Sequence, residues 1–196
     1  MDKLTVINNA LTATGNNRVN ILHDPSDEYQ VADTAFDRAI KVLTSRHAWP
    51  FSTTVENLVR VPDSDNLSRR YPQNGFLIPQ PPQVLHVKEI YHCNRILTDF
   101  EIIGFTLSCR HSSDISAKVV READGAIWHP MAEEVLTLMV EAGCLRGLNE
   151  DMVEARIKDQ AAEALIAETR SHLDQQNPAR NTYVSKIARA RRTRRV

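Results

Sequence analysis

Cysteine and glycine are both scarce in this chain, and each scarcity removes a class of function. Three cysteines, Cys93, Cys109 and Cys144, make an odd number with no C-x-x-C pair, which argues against a disulfide framework and for free thiols in a reducing compartment. Only six glycines occur in 196 residues, leaving few places for backbone to wrap a phosphate, and no Walker loop, GxSxG, HExxH or GxGxxG is present. No apolar run approaches the roughly 18 residues needed to span a bilayer. The opening Met1-Asp2-Lys3-Leu4 lacks a signal-peptide core, so synthesis in the cytoplasm is expected. His92-Cys93 with Cys109 and His111 come nearest to a metal site, but their spacing matches no common zinc knuckle. Neither a catalytic centre nor a cofactor is expected.

Acids are missing altogether from the C-terminal end. Residues 180–196 carry seven basic side chains and no Asp or Glu, so the rest of the chain holds 17 Lys and Arg against all 25 acids. The formal net charge of −1 therefore hides an acidic body and a basic arm. With 42% hydrophobic and 25% charged residues, the body has the composition of a folded protein with a sizeable core.

The patterning divides into thirds. Leu4, Ile7 and Leu11 recur at helical spacing before Gly15, and Asp24-Pro25-Ser26-Asp27-Glu28 reads as a cap, a first-turn proline and first-turn acids. Val31, Ala35, Ala39 and Val42, widened by Phe36, Ile40 and Leu43, form the buried stripe of the helix that follows. That helix should end near His47, because Pro50 has no N–H and disfavours helical geometry at the residue before it. Trp49 and Phe51 flank the breaker, and Trp49, Pro50 and Phe51 together are expected to anchor the corner against the core.

Beyond the corner lie short β-prone runs at 51–61, 76–79, 84–92, 95–97, 101–108 and 115–121, with the proline-rich 79–82 stretch as a loop or edge. Helical periodicity returns at residue 127: Met131, Val135, Leu138, Met139, Ala142 and Leu145 follow Pro130, and Gly147 ends the pattern. Asn149 is the expected cap of a last helix with Val153, Ile157, Ala161 and Leu165 as its apolar stripe, ending before Asn177-Pro178. The expected fold is α+β but mainly α. Residues 1–50 and 127–176 would form a helical bundle, residues 51–126 a small antiparallel β insertion, and residues 177–196 a basic arm.

The arm allows three readings from its residues. It is a solvated charged terminus, a nucleic-acid-binding arm, or a protein-docking arm. Tyr183, Val184 and Ile187, set between Lys186, Arg189, Arg191, Arg192, Arg194 and Arg195, favour docking by adding apolar anchors to the charge.

Several of these features share an order with a known family. They are the opening helix ending in Leu11-Thr12-Ala13-Thr14-Gly15, the helix closing on His47, Trp49 and Phe51, the strand pair Phe76-Leu77-Ile78-Pro79 and Val84-Leu85-His86-Val87, the hairpin Arg95-Ile96-Leu97-Thr98-Asp99, and the Pro130 helix rich in Ala, Leu and Met. In this order the chain resembles the tail tubular protein A family of short-tailed bacteriophages. The resemblance implies a structural virion protein of the tail or neck, without enzymatic activity. It would be a head-to-tail adaptor that forms a twelve-fold ring with its own copies, binds the portal protein and the tail nozzle protein, and extends a channel through which DNA passes without specific binding. On this reading the arm, Tyr183 to Arg195, is the portal-binding segment, and no membrane is involved. The alternative from the residues alone is a nucleic-acid-binding regulatory protein that uses the Arg-rich arm.

Overall fold

The computed structural model describes residues 2–79, 84–121 and 128–176. Two helices come first, α1 (Lys3–Ala13) and α2 (Asp27–Arg46). α1 buries Val6, Ile7, Ala10 and Leu11. Its end is closed by the Asn16 N–H, which donates to the Leu11 carbonyl at 2.9 Å across Gly15 at a φ of 75°, a left-handed position that glycine fills without a Cβ penalty.

The start of α2 differs from expectation by one cap. Ser26 Oγ accepts from the Tyr29 N–H at 3.4 Å, while Asp24 turns back to accept from the Ser26 N–H at 2.9 Å. Pro25 therefore stays outside the helix. At the other end α2 stops at Arg46, and His47 is extended at φ −151° and ψ 150°.

Two more helices complete this side of the molecule, α3 (Pro130–Gly147) and α4 (Met152–Gln176). α3 packs against α1, α2 and α4, and most of its circumference is buried, as a helix apolar on nearly every side requires. Gly143 lets α2 come close, because a Cβ there would overlap the Ala35 side chain. The buried charge on α3 is Glu141, only 6% exposed, which forms an ion pair with Lys158 of α4 at 2.7 Å. That contact, ahead of any other cause, raises the Lys158 pKa. A buried carboxylate without such a partner would be strongly destabilising.

Between the helix pairs the described residues form eight strands: β1 (Thr53–Asn57), β2 (Val59–Arg60), β3 (Gly75–Leu77), β4 (His86–His92), β5 (Arg95–Ile96), β6 (Phe100–Ile103), β7 (Thr106–Cys109) and β8 (Ile115–Val120). They form two antiparallel sheets of four strands, ordered β1-β8-β4-β5 and β2-β3-β7-β6. Ile90, Ile115, Ala117 and Val119 of the first sheet share one core with Phe76, Leu107 and Cys109 of the second. Buried residues thus fall into two clusters, one among the helices and one between the sheets.

The expectation of a mainly helical protein with one small antiparallel insertion is overturned. Among the described residues 48% are helical and 20% strand, and with two four-stranded sheets this is a mixed α+β fold with substantial sheet. Two local events account for the extra sheet. The run expected as one strand over 101–108 reverses at Gly104, whose φ is 60°, and becomes the β6–β7 hairpin with Ile103 opposite Thr106. The run expected over 51–61 opens with a 3-10 turn at Pro50–Ser52 and then breaks at Leu58, so that β1 and β2 belong to different sheets. Leu58 itself is buried between them, and its N–H donates to the Ile115 carbonyl at 2.9 Å. Alternating β-prone residues mark a strand without marking which neighbour it pairs with.

The last helix is also turned differently. Val153 and Ile157, expected on the core face, are 74% and 58% exposed, and α4 instead buries Ala155, Ala162, Thr169 and Leu173. Small side chains let α4 lie close on α3, and the Lys158–Glu141 pair lies on the same side. Its cap is Asp151, which accepts from the N–H groups of Val153 at 3.0 Å and Glu154 at 2.9 Å, while Asn149 bonds back to the Thr14 carbonyl at 3.0 Å.

Close packing at Gly143 can be tested directly. Gly143→Ala gains about 1 kcal/mol of helix propensity but drives a methyl group into Ala35, so we expect a net destabilisation of about 1–2 kcal/mol, largely recovered when Ala35→Gly is added. A denaturation midpoint at or above that of the parent would show that the two helices separate without cost.

Candidate functional site

Trp49, Pro50 and Phe51 sit where the chain leaves the helices for the sheets, and the structure gives each a different role. Trp49 is 0% exposed. Its indole N–H donates to the Leu43 carbonyl at 2.7 Å, satisfying one of the carbonyls that the end of α2 leaves without a helical partner. Pro50 is exposed and opens the 3-10 turn. Phe51 is half-buried and stacks on Trp49 with ring centroids 5.9 Å apart and planes 8° from parallel.

A third aromatic side chain completes the corner. Trp128, 8% exposed, packs against Phe51 with ring centroids 4.8 Å apart. Trp128 belongs to the return of the chain from the sheets to α3, so both crossings between the two cores meet in one aromatic stack. The sequence carried a signal for this: Trp128-His129-Pro130 repeats the pairing of a tryptophan with a nearby helix-related proline seen at Trp49-Pro50. The reading of residue 128 as part of a helix start missed its part in the anchor.

Hydrogen bonds bind the corner to the sheet. Thr53 Oγ1 donates to the Trp49 carbonyl at 2.7 Å, and the Arg121 N–H donates to the Ser52 carbonyl at 2.8 Å. Arg121 also reaches Glu56 through Nε at 2.6 Å. On the return crossing, His129 Nδ1 accepts from the Met131 N–H at 3.3 Å and caps α3.

His47 adds a titratable group to the stack. Its ring meets Trp49 edge-on at 4.8 Å, and Nε2 lies 3.2 Å from Asp174 of α4. Burial lowers the His47 pKa, with Arg170 and Lys88 acting in the same direction, and Asp174 offsets this only in part.

A second feature lies on the helices. Between α2 and α4, over α3, runs a groove of about 830 Å³. Its lining includes Val31, Ala35 and Val42 of α2, Met139 of α3, and Ala162 and Ile166 of α4. Arg46 of α2 pairs with Glu163 of α4 across it, and Arg146 of α3 pairs with Asp159 of α4.

The His and Cys residues do come together on the sheets. The rings of His92 and His111 stack at 3.7 Å, and Cys93 Sγ lies 3.5 Å from His92 Nε2. Cys109 is buried and donates to the His111 carbonyl at 3.5 Å, and burial raises its pKa. Among the described residues no group of three or more His, Cys, Asp or Glu is arranged to hold a metal ion. No helix among the described residues is long and apolar enough to cross a membrane.

The arm residues Tyr183, Val184, Lys186, Ile187, Arg189, Arg191, Arg192, Arg194 and Arg195 lie outside the described residues, as do residues 80–82 of the proline-rich loop.

Two outcomes follow from the corner. Trp49→Ala is expected to destabilise the protein by about 3–5 kcal/mol through loss of buried aromatic contact, with a smaller loss for Phe51→Ala. A Trp49→Ala melting temperature equal to that of the parent would remove the anchor role. For His47, the folded value lies below the unfolded value of about 6.5, so the unfolded chain takes up the proton first and stability falls on acidification below about 6.5. His47→Gln should flatten that part of the stability–pH curve, and an unchanged slope would show that another group is responsible.

No protein-family model matches the chain, and a search of curated proteins returns no match to it.

Proposed function

We propose that this chain is a structural virion protein, the head-to-tail adaptor that joins the portal to the tail nozzle in a short-tailed bacteriophage and extends the DNA channel. The observation that carries the reading is the apolar surface left uncovered on both parts of the molecule. Met152, Val153 and Ile157 of α4 are exposed on the helical side, and Val59, Leu77 and Phe105 on the sheet side. Uncovered apolar surface on two unlike parts of a small chain is what a subunit with several protein neighbours requires. The resemblance through His47, Trp49, Phe51 and the Arg95 to Asp99 hairpin supports the same role.

Charge fits this reading as well. An excess of acids in the body gives a conduit wall little hold on passing DNA, because backbone phosphates bind through neutralisation by Lys and Arg. The seven basic residues of the arm are then available for a different task. In this proposal they dock with Tyr183, Val184 and Ile187 on an acidic, partly apolar surface of the portal, which offers charge and contact area together.

Purified portal rings free of DNA provide the test. Electron microscopy of the mixture is expected to show rings capped by this protein, and deletion of residues 178–196 should leave the melting temperature unchanged while abolishing the caps. Truncated protein that caps the rings as well as the full chain would remove the docking role of the arm. Failure of the full chain to bind, together with tight salt-dependent binding to duplex DNA, would favour the nucleic-acid-binding regulator instead.

A further inference from the structure

The outer edge of β6 is open, and we infer that it takes up an extended peptide of another protein, apolar at alternate positions and acidic at its C-terminal end, as an added antiparallel strand. In the order β2-β3-β7-β6 this strand pairs with β7 alone, with all four residues in register and no bulge. Phe100 and Ile102 lie opposite Cys109 and Leu107, so they share the face that packs into the core between the sheets. Cys109 and Leu107 are 0% exposed, yet Phe100 and Ile102 are 36% and 44% exposed. The difference is a missing neighbour, since no described strand lies on the far side of β6.

The other edges of the two sheets carry features that discourage further pairing. β2 and β5 are two residues long. β1 turns a charge inward: Glu56 lies opposite the buried Ala117 and is held by Arg121 Nε at 2.6 Å. β6 has neither protection. Its sequence, Phe100-Glu101-Ile102-Ile103, holds no proline or lysine, and Glu101 faces away from the core, where it accepts from Ser68 Oγ at 2.6 Å. Such an edge is a template for one more strand, whose backbone would pair along it while alternate side chains cover Phe100 and Ile102.

Charge selects the occupant. The chain outside its C-terminal end holds more acids than bases, but arginines gather at the Phe100 end of β6. Arg110 follows Cys109, the partner of Phe100, and with Arg70 and Asp99 it converges on Tyr71. Asp99 is taken by Arg70 at 2.9 Å. Arg110 has no acidic partner among the described residues, and neither has Arg95 of β5, which three residues separate from β6. Every pair in both sheets is antiparallel, and a strand added in that sense brings its C-terminal residues to Phe100. Acids there would meet the free guanidinium groups in charge-assisted hydrogen bonds. The basic arm of the chain, with seven positive residues and no acid, would be repelled by them. This contact rests on the sheet edge and does not require the adaptor role.

Peptide selection on the purified full-length chain tests the inference. A displayed library of random peptides of about nine residues covers β6 and its flanks. Enriched sequences are expected to alternate Val, Ile, Phe or Tyr with polar residues and to end in Asp or Glu. A fluorescent copy of the most frequent sequence should lose about tenfold or more in affinity for Ile102→Lys and for the double variant Arg95→Glu, Arg110→Glu, with both variants melting as the parent does. A second measurement needs no variant: methylating the backbone nitrogens on one edge of the peptide, at every second residue, should abolish binding, and methylating the alternate set should leave it intact. Equal effects of the two methylated sets would mean that the peptide does not pair as a strand and would overturn the inference. No enrichment over a blank surface, or enriched sequences lacking either the alternation or the acids, would do the same. Displacement of the peptide by single-stranded oligothymidylate that binds more tightly would give the edge to nucleic acid instead, and a parent that sediments as a dimer beside a monomeric Ile102→Lys would give it to a second copy; either result removes the proposed occupant.

Discussion

Trp49 is shut off from solvent, and its indole N–H ends on the Leu43 carbonyl, so the last turn of α2 and the start of the sheets share one buried side chain. Phe51 extends that contact to Trp128, and with it to the start of α3. The chain passes from helices to sheets and back again, and both passages are fastened at this stack. Aromatic rings suit the place because they bury a large area with few rotatable bonds. The Trp49 indole N–H is satisfied by the Leu43 carbonyl, so little is lost by excluding water from it.

From this corner the helical side is organised around α3, which touches the other three helices. Close approach there depends on small residues, Gly143 against Ala35 and Ala155 and Ala162 on α4. The consequence appears on the outside. By turning alanines inward, α4 leaves Val153 and Ile157 in solvent, and the space between α2 and α4 stays open as a groove. The proposed adaptor role begins from surface that the fold does not cover for itself.

Much of the local structure was legible in the sequence. The end of α2 at Arg46 followed from Pro50 and its effect on the preceding residue, the close of α1 from Gly15, and the start of α3 from Pro130. Caps were legible only as a choice among neighbours. Ser26 and Asp151, not Asp24 and Asn149, accept the first-turn N–H groups, and serine, aspartate and asparagine are all good caps. Of the candidate site, Trp49 and Phe51 stood out as large apolar residues beside a helix breaker. Trp128, beside a helix-starting proline of its own, read only as part of a helix start, because its partner is 77 positions away in a chain of 196 and adjacency in sequence does not show which rings meet.

Propensity and punctuation in the chain were enough to determine where helices begin and end, that the middle third is built of strands, and that charge is split between an acidic body and a basic arm. Three matters were settled only by packing. Strands divide into two sheets because Gly104 and Leu58 redirect the chain toward different partners, and β-prone alternation is the same whichever partner is chosen. α4 turns Ala155 and Ala162 inward because close approach to α3 and the Lys158–Glu141 pair favour that face over the larger side chains of Val153 and Ile157. Trp49, Phe51 and Trp128 meet because the whole sheet region leaves and returns at one point, a closure that depends on contacts distant in sequence.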